Sequence, residues 1–84
     1  MLSIRIRFFA GHRDIVGQAE LSLEVQDEAT IGMVWEDLCV HYPRLAGYSG
    51  RILFAVNQQF ATATTLLADG DEVAFIPPVS GGRS

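Results

Sequence analysis

The groups with the most chemical promise in this chain belong to the backbone. Gly81 and Gly82 follow Pro77-Pro78-Val79-Ser80 near the C-terminus. Two glycines have no side chains, so they can thread a narrow channel and set a backbone carbonyl or carboxylate deep in another protein's active site. Their place directly after a strand and a Pro-Pro stiffener gives them more weight than Gly-Gly alone would have. Side-chain catalysts are scarce. His12 and His41 are the only histidines, and no Ser-His-Asp order or Cys-His pairing stands out. Cys39, the single cysteine, lies on an apolar helix stripe and reads as an inert core residue, since reactive thiols need exposed, electropositive surroundings. Asp69-Gly70-Asp71-Glu72 has some of the carboxylates of a calcium loop without the rest of the ligand spacing, and reads as a plain turn. No metal site and no bound cofactor are expected.

The rest of the chain must hold that tail out. It has 84 residues, 49% hydrophobic and 19% charged, and a mean hydropathy of +0.23. A chain this short buries only about 60–65% of its unfolded surface, enough for one core. Residues 1–76 are expected to form one domain and residues 77–84 an extended tail. One cysteine allows no internal disulfide, and no Cys/His spacing suits a structural metal, so packing alone must stabilise the fold. Ten acidic residues against six arginines, with no lysine, give a net charge of -4, which argues against nucleic-acid binding. The arginines are suited to bidentate pairing with carboxylates on a partner. The N-terminal MLSIRIRFFAG has arginines within its apolar run, so neither a signal peptide nor a membrane span is expected, and cytoplasmic residence is the default.

Periodicity supplies the elements. Leu2, Ile4, Ile6 and Phe8 alternate with Ser3, Arg5, Arg7 and Phe9, which predicts a first strand. Gly11 to Gly17 reads as a short helical turn or loop. Leu21, Leu23 and Val25 alternate with polar residues in a second strand, most simply antiparallel to the first. Thr30 is placed to cap a helix whose apolar stripe runs Ile31, Val34, Trp35, Leu38, Cys39 and Tyr42 until Pro43 ends it. Gly32, Glu36, Asp37 and His41 should form its solvated face. Arg44 to Gly50 reads as a loop, Ile52 to Asn57 as a third strand, and Phe60 as part of a short segment. Asp69-Gly70-Asp71 turns into a last strand, Glu72 to Ile76, that Pro77-Pro78 closes. The order is ββαββ with a final strand: an α+β fold with one main helix on a sheet.

Strand parity then isolates a surface. If Phe8, Phe54, Val56 and Phe75 make the helix-covered core, Phe9, Leu53, Ala55 and Ile76 face the other way. With Phe60 nearby and Arg5 and Arg7 as a frame, they form an apolar patch open to water. Such patches on small acidic domains mark a protein partner or association of the domain with itself.

Three segments resemble one family. They are Ile6-Arg7-Phe8-Phe9-Ala10, Ala55-Val56-Asn57-Gln58, and above all the run from Asp69-Gly70-Asp71-Glu72 through Val73-Ala74-Phe75-Ile76 to Pro77-Pro78-Val79-Ser80-Gly81-Gly82. Over residues 1–82 the chain looks like the small, sulfur-carrying subunits of molybdopterin synthases, which are ubiquitin-like. The resemblance implies a β-grasp fold with a mixed sheet, and a non-catalytic subunit whose partners are the synthase large subunit, an E1-like adenylyltransferase and a sulfurtransferase. The activating partner uses ATP to adenylate the terminal glycine. The sulfurtransferase supplies sulfur for a thiocarboxylate, which the large subunit delivers to cyclic pyranopterin monophosphate. By position Gly82 would carry the thiocarboxylate, Gly81 would keep the tail slim, and Phe9, Phe60 and Ile76 would fall in the partner-binding face.

The family pattern ends at the second glycine, whereas Arg83-Ser84 follow here and hold the Gly82 carbonyl in a peptide bond. A cloning remnant, a processed extension or a carrier that has lost its function would each account for this. Gly82 can carry sulfur only once Arg83-Ser84 are removed. Within the same fold, a carrier for thiamine, tRNA thiolation or cysteine synthesis is the alternative, and in another class a β-grasp interaction module or protein modifier.

Overall fold

The alternation in the first strand, β1 (Leu2–Phe8), places Ile4, Ile6 and Phe8 on a buried side and Ser3, Arg5 and Arg7 on an exposed one. A computed structural model describes residues 1–48 and 51–77. After β1 come α1 (Ala10–Val16), β2 (Glu20–Val25), the main helix α2 (Ile31–His41), a 3₁₀ helix (Pro43–Tyr48), β3 (Leu53–Val56), β4 (Gln59–Ala61) and β5 (Glu72–Ile76). The five strands form one mixed sheet in the order β2-β1-β5-β3-β4. β1 and β5 run parallel at its centre, with Ile6 beside Val73 and Phe8 beside Phe75, and every other pairing is antiparallel. Parallel neighbours need a long crossover, which α2 and the segments after it provide.

α2 starts as its sequence predicts. Thr30 Oγ1 accepts the Met33 N–H at 3.2 Å, which satisfies one of the free amides at the helix start. Ile31, Val34, Trp35 and Leu38 are buried against the sheet, while Cys39 and Tyr42 are partly buried at the margin of the same core. Phe75 lies at the centre, with ring centroids 5.1 Å from Trp35, 5.6 Å from Phe54 and 6.4 Å from Phe8. A buried phenylalanine in such a position is worth about 3–5 kcal/mol relative to alanine. Phe54 and Val56 share this face but are only half-buried, because β3 has just one short strand outside it.

Three expectations need correction. Residues 43–48 form a 3₁₀ helix instead of a loop: Leu45 is fully buried, and its N–H donates to the Tyr42 carbonyl at 2.8 Å. Gly32 does not lie on a solvated helix face. Its N–H donates to the Ala63 carbonyl at 2.9 Å, and a Cβ there would stand 3.0 Å from that oxygen. The segment at Phe60 is itself a strand, β4, at the edge of the sheet opposite β2, joined to β3 by a two-residue turn in which Asn57 and Gln58 both have positive φ, 51° and 71°. Two successive left-handed residues match the twist of the flanking strands.

The Asp69-Gly70-Asp71 segment is the turn that fixes the register of β5. Gly70 takes φ 85°, its N–H donates to the Ser3 carbonyl, and the Arg5 N–H donates to the Asp71 carbonyl at 3.0 Å. Both carboxylates accept backbone N–H groups, Asp69 from Ser3 at 2.7 Å and Asp71 from Ala68 at 2.8 Å. Asn57 links this turn to the hairpin. Its side-chain amide donates to Asp71 at 3.0 Å, and its carbonyl oxygen accepts the Glu72 N–H at 3.0 Å.

His12, on α1, is fully buried, its ring edge-on to Tyr48 at 4.6 Å and tilted against Trp35 at 5.4 Å. Its Nδ1 lies 3.2 Å from the Phe75 carbonyl, while Nε2 is buried with no hydrogen-bond partner among the described residues. Neutral imidazole with the proton on Nδ1 suits this arrangement. Desolvation pushes the group below its ordinary value of 6.5, against the smaller opposing pull of the Phe75 carbonyl.

Two measurements test these points. Because Gln58 holds a conformation that glycine adopts without a Cβ penalty, Gln58→Gly should raise stability by about 0.5–1 kcal/mol in urea titrations; a loss would show that the turn is unstrained. Protonation of His12 favours the unfolded chain, so its contribution is complete above 6.5 and is lost as pH falls toward the depressed folded value. Stability should therefore decline below 6.5 by up to about 1.4 kcal/mol per pH unit from this one group. His12→Asn should flatten that decline, and an unchanged slope would assign it elsewhere.

Candidate docking face and tail exit

The sheet has one face covered by α2 and one left open, and register defines the open face residue by residue. Cross-strand partners share a face, so one row reads Glu20, Arg7, Ala74, Ala55 and Phe60 across all five strands. A neighbouring pair, Ile76 and Leu53, lies in register beside it. Phe9, the residue that caps α1, completes the apolar group.

The middle of this row is low and its ends are high. Ala74 and Ala55 form the floor of a shallow depression of about 220 Å³ bordered by Phe9, Phe60, Ile76 and Arg7. Phe60 is 79% exposed, Leu53 52% and Phe9 39%, whereas Ile76 is half-buried. Arg7 gives the apolar group a polar margin. Its guanidinium sits 5.7 Å from the centre of the Phe9 ring, 3.5 Å from the Glu72 carboxylate and 3.9 Å from that of Glu20. These surface pairs contribute little to stability.

Of the residues singled out from the sequence, Phe9, Phe60 and Ile76 thus meet around one depression, with Ala55 as part of its floor. Arg7 frames it as expected. Arg5 does not line it and lies along β1 beside Glu72 and Ser22. Ala74 and the Arg7–Glu72 pair were not anticipated, although the alternation that placed Ile76 on this face also places Ala74 and Glu72 there. Gly81 and Gly82, along with Arg83 and Ser84, lie outside the described residues. What the structure gives is the point of departure: the chain leaves the sheet at Ile76, the last residue of β5, directly against the apolar group.

The depression holds no nucleophile with a neighbouring base, and its one carboxylate, Glu72, is engaged by Arg7. Cys39 is away from it on α2, packed against the core. Phe9, Leu53 and Phe60 expose large apolar area with arginine at the rim, the composition of a protein interface. Among the described residues no helix is long and apolar enough to cross a membrane.

Comparison with known proteins agrees with this geometry. The family model for the ThiS family matches residues 6–82. A molybdopterin synthase sulfur carrier subunit from Mycobacterium tuberculosis is 39% identical over 83 residues, covering 98% of this chain and all of the relative. Among solved structures, the small archaeal modifier protein 1 from Methanosarcina acetivorans superposes with a TM-score of 0.80 at 29% identity, over 98% of both chains. A chain from the complex of subunits 1 and 2 of the molybdopterin-converting factor of Helicobacter pylori has a TM-score of 0.67 over 96% of this chain and all of its own length, at 21% identity, a likeness of fold alone. A mixed sheet gripping one main helix, an open apolar face beside the exit of a Gly-Gly tail, and a match that runs to Gly82 agree: this chain belongs to the ThiS family, with the ubiquitin-like β-grasp fold.

Proposed function

We propose that this chain is the sulfur-carrying subunit of a molybdopterin synthase, bearing a thiocarboxylate on Gly82 and donating its sulfur to cyclic pyranopterin monophosphate. The observation that carries the reading is the family match through Gly82, together with the full-length similarity to the M. tuberculosis sulfur carrier subunit.

The division of labour follows from the chemistry. A carboxylate is a poor electrophile. Adenylation by an E1-like partner, using ATP and releasing pyrophosphate, makes it a mixed anhydride; sulfur at the sulfide level, supplied by a sulfurtransferase, then attacks the carbonyl and expels AMP to leave the thiocarboxylate. The folded body provides no catalytic side chain for this. It presents Phe9, Phe60 and Ile76 for docking, first on the activating enzyme and then on the large subunit, so that the tail enters the partner's pocket. Gly81 keeps the tail narrow at its tip. On this reading the chain needs no cofactor of its own, and Arg83-Ser84 must leave before Gly82 has a carboxylate to activate.

A second reading is favoured by the likeness to the Methanosarcina modifier protein. In it the activated Gly82 forms an amide with an amine of another protein, and no sulfur is delivered. Both readings need a free Gly82 and differ in the fate of its carbonyl.

Intact-mass analysis of the untagged protein from its native host separates them. The carrier reading predicts chains ending at Gly82, a fraction of them with one oxygen replaced by sulfur. A population ending solely at Ser84 contradicts both readings, and Gly82 found only in conjugates favours the modifier. The docking face has its own test. Phe60→Glu or Ile76→Glu should abolish co-elution with the large subunit on a sizing column. Phe60→Glu should also leave stability within about 0.5 kcal/mol, as expected for an exposed position. Unimpaired complex formation would place the interface elsewhere.

A further inference from the structure

Beyond the docking face, the far edge of the sheet carries a second apolar surface, this one with an acidic margin. A groove of about 450 Å³ runs between β2 and α2, floored by Leu23, Val25, Ala29 and Val34 and walled by Met33 and Val40. Met33 is 49% exposed and Val40 75%, seven residues apart and so on one side of the helix. Its charged residues are all acidic: Glu36 and Asp37 on the helix, and Glu24 on the strand, whose side chain by register lies on the open face of the sheet. Among the described residues that line it, the one cationic group is the Met1 ammonium, 3.2 Å from Asp27.

The strand bordering this groove is unpaired on its outer side. Among the described residues β2 ends the sheet and pairs only with β1. The Phe8 N–H donates to the Ala19 carbonyl at 2.9 Å, and the Arg5 N–H donates away from β2, to Asp71. Backbone groups alternate in direction along an antiparallel pair. Leu21, Leu23 and Val25 therefore bond inward to β1, and the N–H and C=O groups of Ser22 and Glu24 point from the free edge. An extended chain added there would bond to that edge and drop alternate side chains into the groove.

We infer that the β2 edge and the β2–α2 groove bind an extended, basic segment of another protein as a sixth strand, with apolar residues at alternate positions and Lys or Arg at its flanks. The charge pattern selects this occupant. A second copy of this chain, pairing edge to edge through β2, would bring Glu20 and Glu24 against their own kind. A basic segment meets Glu36 and Asp37 with opposite charge on the helix side and Glu24 on the open face. The surface is on the opposite edge of the sheet from Phe60, so it can be filled while the docking face is engaged, and the inference does not depend on the sulfur-carrier reading.

The test uses two synthetic octapeptides with Ile and Val alternating with Thr, one flanked by Lys-Arg and the other by Glu-Glu, titrated into the full chain and followed by amide NMR. The basic peptide should shift the signals of β2 and of Met33 to Val40, protect the Ser22 and Glu24 amides from hydrogen exchange, and bind at least about tenfold more tightly than the acidic one. Added salt should weaken binding, and Val40→Lys, at an exposed position, should weaken it by about tenfold as well. Equal binding of the two peptides, shifts centred on Phe60, or no binding of the basic peptide would overturn the inference.

Discussion

Parallel pairing of β1 with β5 is the constraint on which the molecule depends. It sets Ile6 beside Val73 and Phe8 beside Phe75 on the covered side, and by the same register Arg7 beside Ala74 and Arg5 beside Glu72 on the open side. One residue of slip would exchange the two faces, exposing Phe75 and burying Glu72. The register is held at its start by the Asp69-Gly70-Asp71 turn, whose backbone bonds to Ser3 and Arg5 and whose carboxylates cap nearby amides. Residues that from composition alone could suggest a cation site are structural: Asp71 accepts from the chain's own donors on both carboxylate oxygens and Asp69 on one.

The same pairing decides where the tail begins. β5 is central, between β1 and β3, and its last residue, Ile76, is flanked by Leu53 in register and by Phe9 beyond the end of β1. A partner that covers Phe9, Phe60 and Ile76 is thereby brought to the root of the tail. On the proposed reading, docking surface and reagent are thus coupled by position. The acidic groove at the β2 edge lies at the other side of the sheet and leaves that coupling undisturbed.

Much of this could be read from the residues, and what could not has physical reasons. β1, β2, β5 and α2 announce themselves because each is long enough for its period to show and is bounded by recognisable residues such as Thr30, Pro43 and Gly70. β4 has only three residues, too few for alternation to register, and its existence depends on the left-handed pair Asn57-Gln58. The 3₁₀ helix depends on Leu45 finding the core, a tertiary effect. Gly32 lies on the polar side of the helical wheel, yet it is covered by the segment around Ala63, whose approach no local pattern reveals. His12 looked like one of two isolated histidines and is instead the buried ring between Trp35 and Tyr48. Among the site residues, parity was sufficient for Phe9, Leu53, Ala55 and Ile76, since a strand's two faces are legible once its core face is known. The parallel pairing of β1 with β5 is not written in any periodicity, and the family resemblance implied no more than a mixed sheet.

The central claim is that a sulfur atom on Gly82, presented by this body, is the reagent. Reconstitution tests it most directly: the chain ended at Gly82, converted chemically to the thiocarboxylate, is mixed with a synthase large subunit and cyclic pyranopterin monophosphate, and dithiolene formation is followed. The account predicts product in proportion to the thiocarboxylate supplied, none from the chain that keeps Arg83-Ser84, and none from the Gly82 carboxylate without the activating enzyme. Equal product from the chain ending at Ser84, or no product from the thiocarboxylate in a complex that has formed, would contradict it.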